Sequence, residues 1–235
     1  MYAPFLPKRR YPSYDAQPLV PSPARTKSVF FDTEDDTLKN DIAFTPEGDY
    51  HWTPTRYKAK STNIAKVITA AGEWDGVAIV GLCEVENDNV LDNLTKYSPL
   101  KKAGYKYIHY ESRDPRGIDV AMLYNPKQVK ILESQPISIS CLRNTKKSRL
   151  GRDVLYAKAV ILKRDTLHLF ICHPTSRLGG AEQSSWKREC LTSAVRIMAD
   201  SINCEGNANI IIMGDFNDTP DCKSMSEALN AKYPD

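Results

Sequence analysis

No G-x-S-x-G, H-E-x-x-H, G-x-x-x-x-G-K-[ST] or G-x-G-x-x-G occurs in this chain. These absences set aside the nucleophile elbow, the helical zinc protease, the P-loop and the dinucleotide-binding turn. The six cysteines (83, 141, 172, 190, 204, 222) form no C-x-x-C pair, so their spacing supports neither a zinc site nor a redox motif. A chain of 235 residues needs no disulfide framework, and free buried thiols are expected. Cys172 and His173 make no Cys/His dyad, because neighbours on a strand point to opposite faces. No run approaches the roughly 18 apolar residues of a membrane span. A net charge of +3 is too small to argue for nucleic acid by itself. The basic start lacks the apolar core of a signal peptide, so the cytoplasm is the default compartment.

What is present reads as one large domain behind an unusual leader. The first 27 residues hold six prolines (4, 7, 12, 18, 21, 23), five basic residues (Lys8, Arg9, Arg10, Arg25, Lys27) and one acid, Asp15. Such a segment supports neither helix nor ladder and is expected to be disordered, leaving a domain over 28–235. Order is expected from a short strand at Ser28–Phe31, followed by an acidic loop. A helix over Thr55–Trp74 comes next, with Thr53-Pro54 as its start signal and Ile64, Val67, Ile68 and Ala71 on one face.

Three apolar runs then end abruptly in polar groups. Gly76–Cys83 runs into Glu84, Leu167–Cys172 into His173, and Ile210–Gly214 into Asp215 and Asn217. Continuous apolar runs of this kind read as strands buried on both faces, and in layered α/β proteins ligands sit beyond strand carboxyl ends. Between the first two runs lie a helix through Val90, Leu91 and Leu94 and four strands: Tyr105–Tyr110, Ile118–Tyr124, Val129–Ile139 and Val154–Leu162. His109 reads as a half-buried strand residue between tyrosines. A long helix over Glu182–Ile202 is expected to bury Trp186, Cys190, Ala194, Ile197 and Met198, and a short helix begins near Lys223. Successive strands between helices favour two packed sheets with helices outside.

GDFNDTP (214–220) is the sharpest motif. Asp215 and Asn217, two residues apart, offer a hard anionic oxygen and an uncharged donor/acceptor, a pair suited to a Mg²⁺-bound phosphate and an attacking water. An EF-hand reading fails, because Pro220 stands where the loop needs glycine. In GLCEVEN (81–87), a carboxylate straight after an apolar run is costly unless paired or bound to a cation, which singles out Glu84. Glu86 is placed to cap the next helix. His173 opens HPTSRLGG, where Ser176, Arg177 and two glycines suit a phosphate oxygen. Arg113 and Arg116 precede a strand, and Arg143, Lys146, Lys147, Arg149 and Arg152 crowd a connection that reads more readily as a solvated loop than as a phosphodiester contact.

Together these segments resemble the endonuclease/exonuclease/phosphatase superfamily. The matching pieces are FDTEDD (31–36), HWTPTRY (51–57), GLCEVEN, YKYIHYESRDPRGIDVAMLYN (105–125), HPTSRLGG and IIIMGDFNDTP, covering about residues 30–230 in order. The resemblance implies a four-layer α/β/β/α sandwich, two packed mixed sheets flanked by helices, and Mg²⁺- or Mn²⁺-dependent cleavage of phosphate esters, nucleic acid among them. Carried over, Glu84 would bind the metal and Asp215 would orient or deprotonate water. Asn217 would hold phosphate and water, and His173 would contact a phosphate oxygen in the transition state. Arg116, Arg177 and Asp119 are the candidate phosphate- or substrate-binding residues. The chain departs from the pattern at three points. The opening strand carries no Asn, Cys172 replaces the Asn before His173, and no histidine follows Asp215 where relatives have a near-terminal Asp-His pair. These departures predict impaired catalysis and a second sheet short of its last strands, with an exposed apolar edge. An impaired hydrolase, a non-catalytic phosphate or nucleic-acid binder, and a truncated inactive fragment all stay open at this stage.

Overall fold

The structure is a computed structural model that describes residues 42–72, 76–114, 116–139, 151–178, 180–206 and 208–232. The proline-rich leader, the strand expected at 28–31, Cys141 and the basic residues Arg143, Lys146, Lys147 and Arg149 lie outside these residues.

The first helix, α1 (Pro54–Ala71), begins where its signal predicted: the Thr53 hydroxyl accepts from the Arg56 N–H, and Pro54 takes the first helical position. Strand β1 (Ile79–Val85) leads into the short helix α2 (Asp88–Asp92), which continues as a wider turn over Asn93–Tyr97. Asn87, not Glu86, caps α2, and Glu86 is instead fully buried at 1% exposure. Five strands follow with no α-helix between them among the described residues: β2 (Lys106–His109), β3 (Asp119–Tyr124), β4 (Val129–Ile137), β5 (Val154–Ile161) and β6 (Asp165–Cys172). Helix α3 (Ala181–Cys204) then crosses to β7 (Asn209–Gly214), and the short helix expected near Lys223 forms as one π-helical turn over Ser224–Ala228.

Two sheets result, ordered β1-β3-β2 and β4-β5-β6-β7, antiparallel except for the parallel pair β6/β7 that α3 joins. Val120 and Met122 of β3 pack against Leu155, Ala157, Leu169 and Ile171 of the other sheet, forming the central core. On the outer face of the first sheet, Ala121 and Leu123 pack with Ala65 and Ile68 of α1 and Val90 and Leu91 of α2. On the outer face of the second, Tyr156 and Phe170 pack with Leu191 and Val195 of α3. The order helix, sheet, sheet, helix is the four-layer sandwich expected from the sequence.

Four expectations need correction. Both β1 and β7 are edge strands among the described residues, so although each packs on both faces, most of their residues are not fully buried, and Ile211 of β7 is 42% exposed. In α1 and α3 the buried stripes are only partly those expected: Ile64, Ile68, Cys190, Ala194 and Met198 do pack against the core. Ser61, Ala65 and Ile68 face inward while Val67 is exposed, and Arg188, Leu191, Thr192, Val195 and Ala199 face inward while Trp186 and Ile197 face water. Apolar residues outnumber the places on each inner face, and packing against the sheet decides which are buried. Cys190 is disulfide-bonded, whereas Cys83, Cys172, Cys204 and Cys222 are free. Arg152, read as part of a solvated loop, is 5% exposed. Among the described residues no helix is long and apolar enough to cross a membrane.

Candidate active site

The parallel register of β6 and β7 sets Cys172 opposite Gly214, so His173 and Asp215 leave the sheet side by side. Gly214 is required there: its φ is 143°, and an added Cβ would collide with the Cys172 carbonyl oxygen. The edge strand of the other sheet reaches the same end, where the Cys83 thiol donates to the Cys172 carbonyl at 3.7 Å. The β1/β3 register slips between Cys83 and Val85. Cys83 belongs to the central core and Val85 to the cluster under the helices, so Glu84 is the inserted residue of a bulge. Its φ of 60° is a left-handed conformation that costs a non-glycine residue about 1–2 kcal/mol. The bulge turns its carboxylate to within 4.0 Å of His173 Nε2, with 24% of the side chain exposed.

His173 itself is buried, its side chain 2% exposed. Burial, and then the guanidinium groups of Arg152 and Arg116, push its pKa down to about 3 against the opposing pull of Asp114. The imidazole is therefore neutral at physiological pH, and its Nδ1 has no hydrogen-bond partner among the described residues. Arg152 fixes the backbone on which it sits, donating through Nε to the His173 carbonyl at 3.0 Å and through Nη2 to the Pro174 carbonyl at 3.2 Å. Arg152 Nε also lies 4.0 Å from Asp114, which Arg116 grips in a bidentate pair at 3.0 and 2.7 Å. Burial disfavours the ionised Asp114 carboxylate, but the Arg116 hydrogen bonds and both guanidinium charges hold its pKa below the ordinary value.

The β7 exit is locked by its own short polar side chains. Asp215 Oδ1 accepts from the Asn217 N–H at 2.9 Å, and Asn217 has a left-handed φ of 54°. Asn217 Nδ2 then donates to the Pro174 carbonyl at 3.1 Å, tying the GDFN turn to the turn after His173. Behind them Asp218 is clamped by Arg188 Nε at 2.6 Å and by the Ser224 hydroxyl at 2.6 Å. Arg188 further donates to the Ser184 hydroxyl and the Ala181 carbonyl, each at 2.7 Å.

Glu84, His173, Asp215 and Asn217 are thus brought to one end of the sandwich. Arg116, with 42% of its side chain exposed, joins them through Asp114 and Arg152. Arg177 is half exposed and 3.5 Å from Asp218 Oδ1. Asp119 stands apart: it opposes Val85 across the β1/β3 ladder, is 2% exposed, and shares a face with Ala121 and Leu123 on the helix side. Asp114, Arg152, Arg188, Asp218 and Lys60 were not singled out as site residues from sequence. Burial brings the pKa of Lys60 on α1 down to about 8, against the raising effect of the Glu84 charge. The one available signal was Arg188, a cation on the buried stripe of α3 with Leu191, Thr192 and Val195.

Glu84 and Asp215 are hard oxygen donors beside a neutral histidine, and Lys60, Arg116 and Arg152 carry positive charge close to Glu84. Such a mixture fits a divalent cation together with a phosphate.

Comparison with known proteins agrees with this fold. The structure is similar to the human Nocturnin catalytic domain with bound sulfate anion (16% identity, 73% of this chain and 63% of that one, TM-score 0.53). It is similar to D. rerio TDP2 complexed with single strand DNA product (18% identity, 73% and 57%, TM-score 0.51). It is also similar to mannosyl-6-phosphatase Bt3783 of Bacteroides thetaiotaomicron VPI-5482 (15% identity, 72% and 60%, TM-score 0.50). At these identities the likeness concerns the fold, and this chain spans 57–63% of the three solved chains. No curated protein matches the sequence. The model of the Endonuclease/Exonuclease/phosphatase family matches residues 27–235, nearly the whole domain and every candidate residue described above, and the chain belongs to that family.

Proposed function

We propose that this chain is a metal-dependent hydrolase of phosphate esters that cleaves phosphodiesters by attack of water. Family membership supports a phosphoesterase- or nuclease-type hydrolase. The observation that carries the finer reading is the convergence of Glu84, His173, Asp215 and Asn217 from three strands of two sheets, with Glu84 held in a costly backbone conformation.

Glu84 would hold Mg²⁺ or Mn²⁺, which when bound supplies positive charge for a phosphoryl oxygen. Asp215, exposed at the end of β7, orients the attacking water and takes its proton. Asn217, anchored through its amide to Pro174, positions the phosphate and that water. His173 is neutral and can donate one N–H to a phosphate oxygen as negative charge grows there. Arg116 and Lys60 supply the surrounding positive potential, and Arg152 keeps His173 in place. The neighbours bound to a DNA product and to sulfate support a phosphate-ester or nucleic-acid substrate.

The test is hydrolysis of bis(p-nitrophenyl) phosphate and plasmid DNA by the full chain, with Mg²⁺ or Mn²⁺ against EDTA. Metal-dependent turnover that drops at least about 100-fold in Asp215→Ala and in Glu84→Gln is the expected result. A folded protein that binds phosphate without turnover would make it a binding module instead.

A further inference from the structure

His109 of β2 faces Ala121 of β3, and Asp119 lies two residues before Ala121 on the same face. Ala121 packs under α1 and α2, so His109 and Asp119 both sit on the helix side of the three-stranded sheet, away from the central core. Glu111 follows His109 by two residues along the same edge. The ligand atoms of His109, Glu111 and Asp119 all lie within 4.8 Å of one another.

Two of these side chains are almost completely buried. His109 and Asp119 are each 2% exposed, with His109 Nε2 and Asp119 Oδ2 only 3.6 Å apart. Neither atom has a hydrogen-bond partner among the described residues. The other atom of each side chain is already held: His109 Nδ1 is 2.9 Å from Asp88 Oδ1 at the start of α2, and Asp119 Oδ1 accepts from the Ser112 N–H at 2.9 Å. The Asp88 carboxylate accepts from Nδ1, the second contact that metal-bound histidines ordinarily make. Nε2 is left facing the Asp119 oxygen across a buried gap. Burial lowers the His109 pKa, but hydrogen bonds and charge from Asp119 and Asp88 raise it overall, so the gap calls for positive charge, a proton or a metal ion. A direct charge-assisted hydrogen bond would close to about 2.7–2.9 Å, well short of the observed separation.

The spacing also discriminates among cations. With bonds of about 2.1 Å to nitrogen and oxygen, a separation of 3.6 Å subtends about 118° at the ion. A tetrahedral centre asks for about 110°, whereas the right angle of an octahedral Mg²⁺ site would bring the two atoms to about 3.0 Å. An imidazole with two carboxylates is a donor set for a first-row transition ion.

We propose that His109, Glu111 and Asp119 bind a divalent transition-metal ion of the Zn²⁺ type, at a site separate from Glu84, which clasps the two ends of the 110–118 connection. That connection carries Asp114 and Arg116, so the ion would brace the arginine that shapes the potential around His173.

The experiment uses the full chain, stripped with chelator and titrated with Zn²⁺ by calorimetry and with Co²⁺ by visible absorption, beside His109→Gln, Glu111→Gln and Glu84→Gln. Wild type and Glu84→Gln are expected to take up one ion with the intense absorption of four-coordinate Co²⁺, and affinity should fall at least about tenfold in His109→Gln and Glu111→Gln. Glu111 is exposed, so its variant tests the site without disturbing the core. Three results would overturn the proposal: a folded wild type that takes up no ion, affinity unchanged in both ligand variants, or uptake lost only in Glu84→Gln. Imidazole resonances showing His109 doubly protonated and indifferent to Zn²⁺ would assign the space to a proton and overturn it equally.

Discussion

Replacing Arg188 by Met tests the clamp beneath the GDFN turn. The guanidinium is 2% exposed and donates to Asp218, the Ser184 hydroxyl and the Ala181 carbonyl at 2.6–2.7 Å. Met fills much of the same volume, so the cavity contribution is small and the loss is electrostatic. Its consequence falls on Asp218, whose side chain is 3% exposed and would keep only the Ser224 hydroxyl and the more distant Arg177. Removing one partner of a buried pair costs about 3–5 kcal/mol, chiefly through the uncompensated charge that remains. Asp218→Asn in the same background removes that charge, so the double variant should recover about 2 kcal/mol relative to the sum of the two single changes. Urea unfolding of all four proteins with a common slope measures the cycle. A cost below about 1 kcal/mol for Arg188→Met, or strict additivity in the double variant, would refute the clamp. Ser224→Ala, which deletes one donor to the same carboxylate, should cost only about 1 kcal/mol.

Other consequences of the geometry are as readily checked. Gly214→Ala drives a Cβ into the Cys172 carbonyl and should cost more than about 3 kcal/mol, with loss of the β6/β7 register and of activity together; a stable, active variant would contradict the close approach. Glu84→Gly relieves the left-handed backbone and should raise stability by about 1 kcal/mol while abolishing metal-dependent turnover, a split visible by pairing unfolding curves with bis(p-nitrophenyl) phosphate assays. His173 titrates at about 3 in the fold and near its ordinary value of 6.5 when unfolded. The unfolded chain therefore binds the extra proton between these limits, and stability falls as pH drops below 6.5 toward 3. This contributes a loss of roughly 2 kcal/mol at about pH 5. His173→Gln should flatten that part of the acid limb, and an unchanged slope in the variant would count against the buried neutral imidazole.

The ends of β6 and β7 were legible in the sequence because a strand that stops in His or Asp announces both its own boundary and a polar destination, whereas β1 runs on through Glu84 to Val85 and only the change from apolar to polar marked it. Glu84, His173, Asp215 and Asn217 could be named on that ground, as could the Thr53-Pro54 start of α1 and the sequence of strands between helices. Which apolar residues face inward was legible only in part. Val67 and Ile197 match the helical period as well as Ala65 and Val195 do, and only the shape of the sheet beneath each helix chooses between them. The supporting charges were hidden for a different reason. Arg152 and Arg188 lie far in sequence from His173 and Asp218, and a guanidinium looks solvated until the chain closes over it and supplies carbonyl and carboxylate partners. The bulge at Glu84 and the meeting of His109 with Asp119 are likewise products of strand register, which depends on both strands of a pair. The sequence alone therefore determined the fold family and which polar groups follow the apolar runs, since local pattern and motif order carry both. Tertiary structure decided burial, protonation and mutual distance, because each depends on what the rest of the chain places beside a residue.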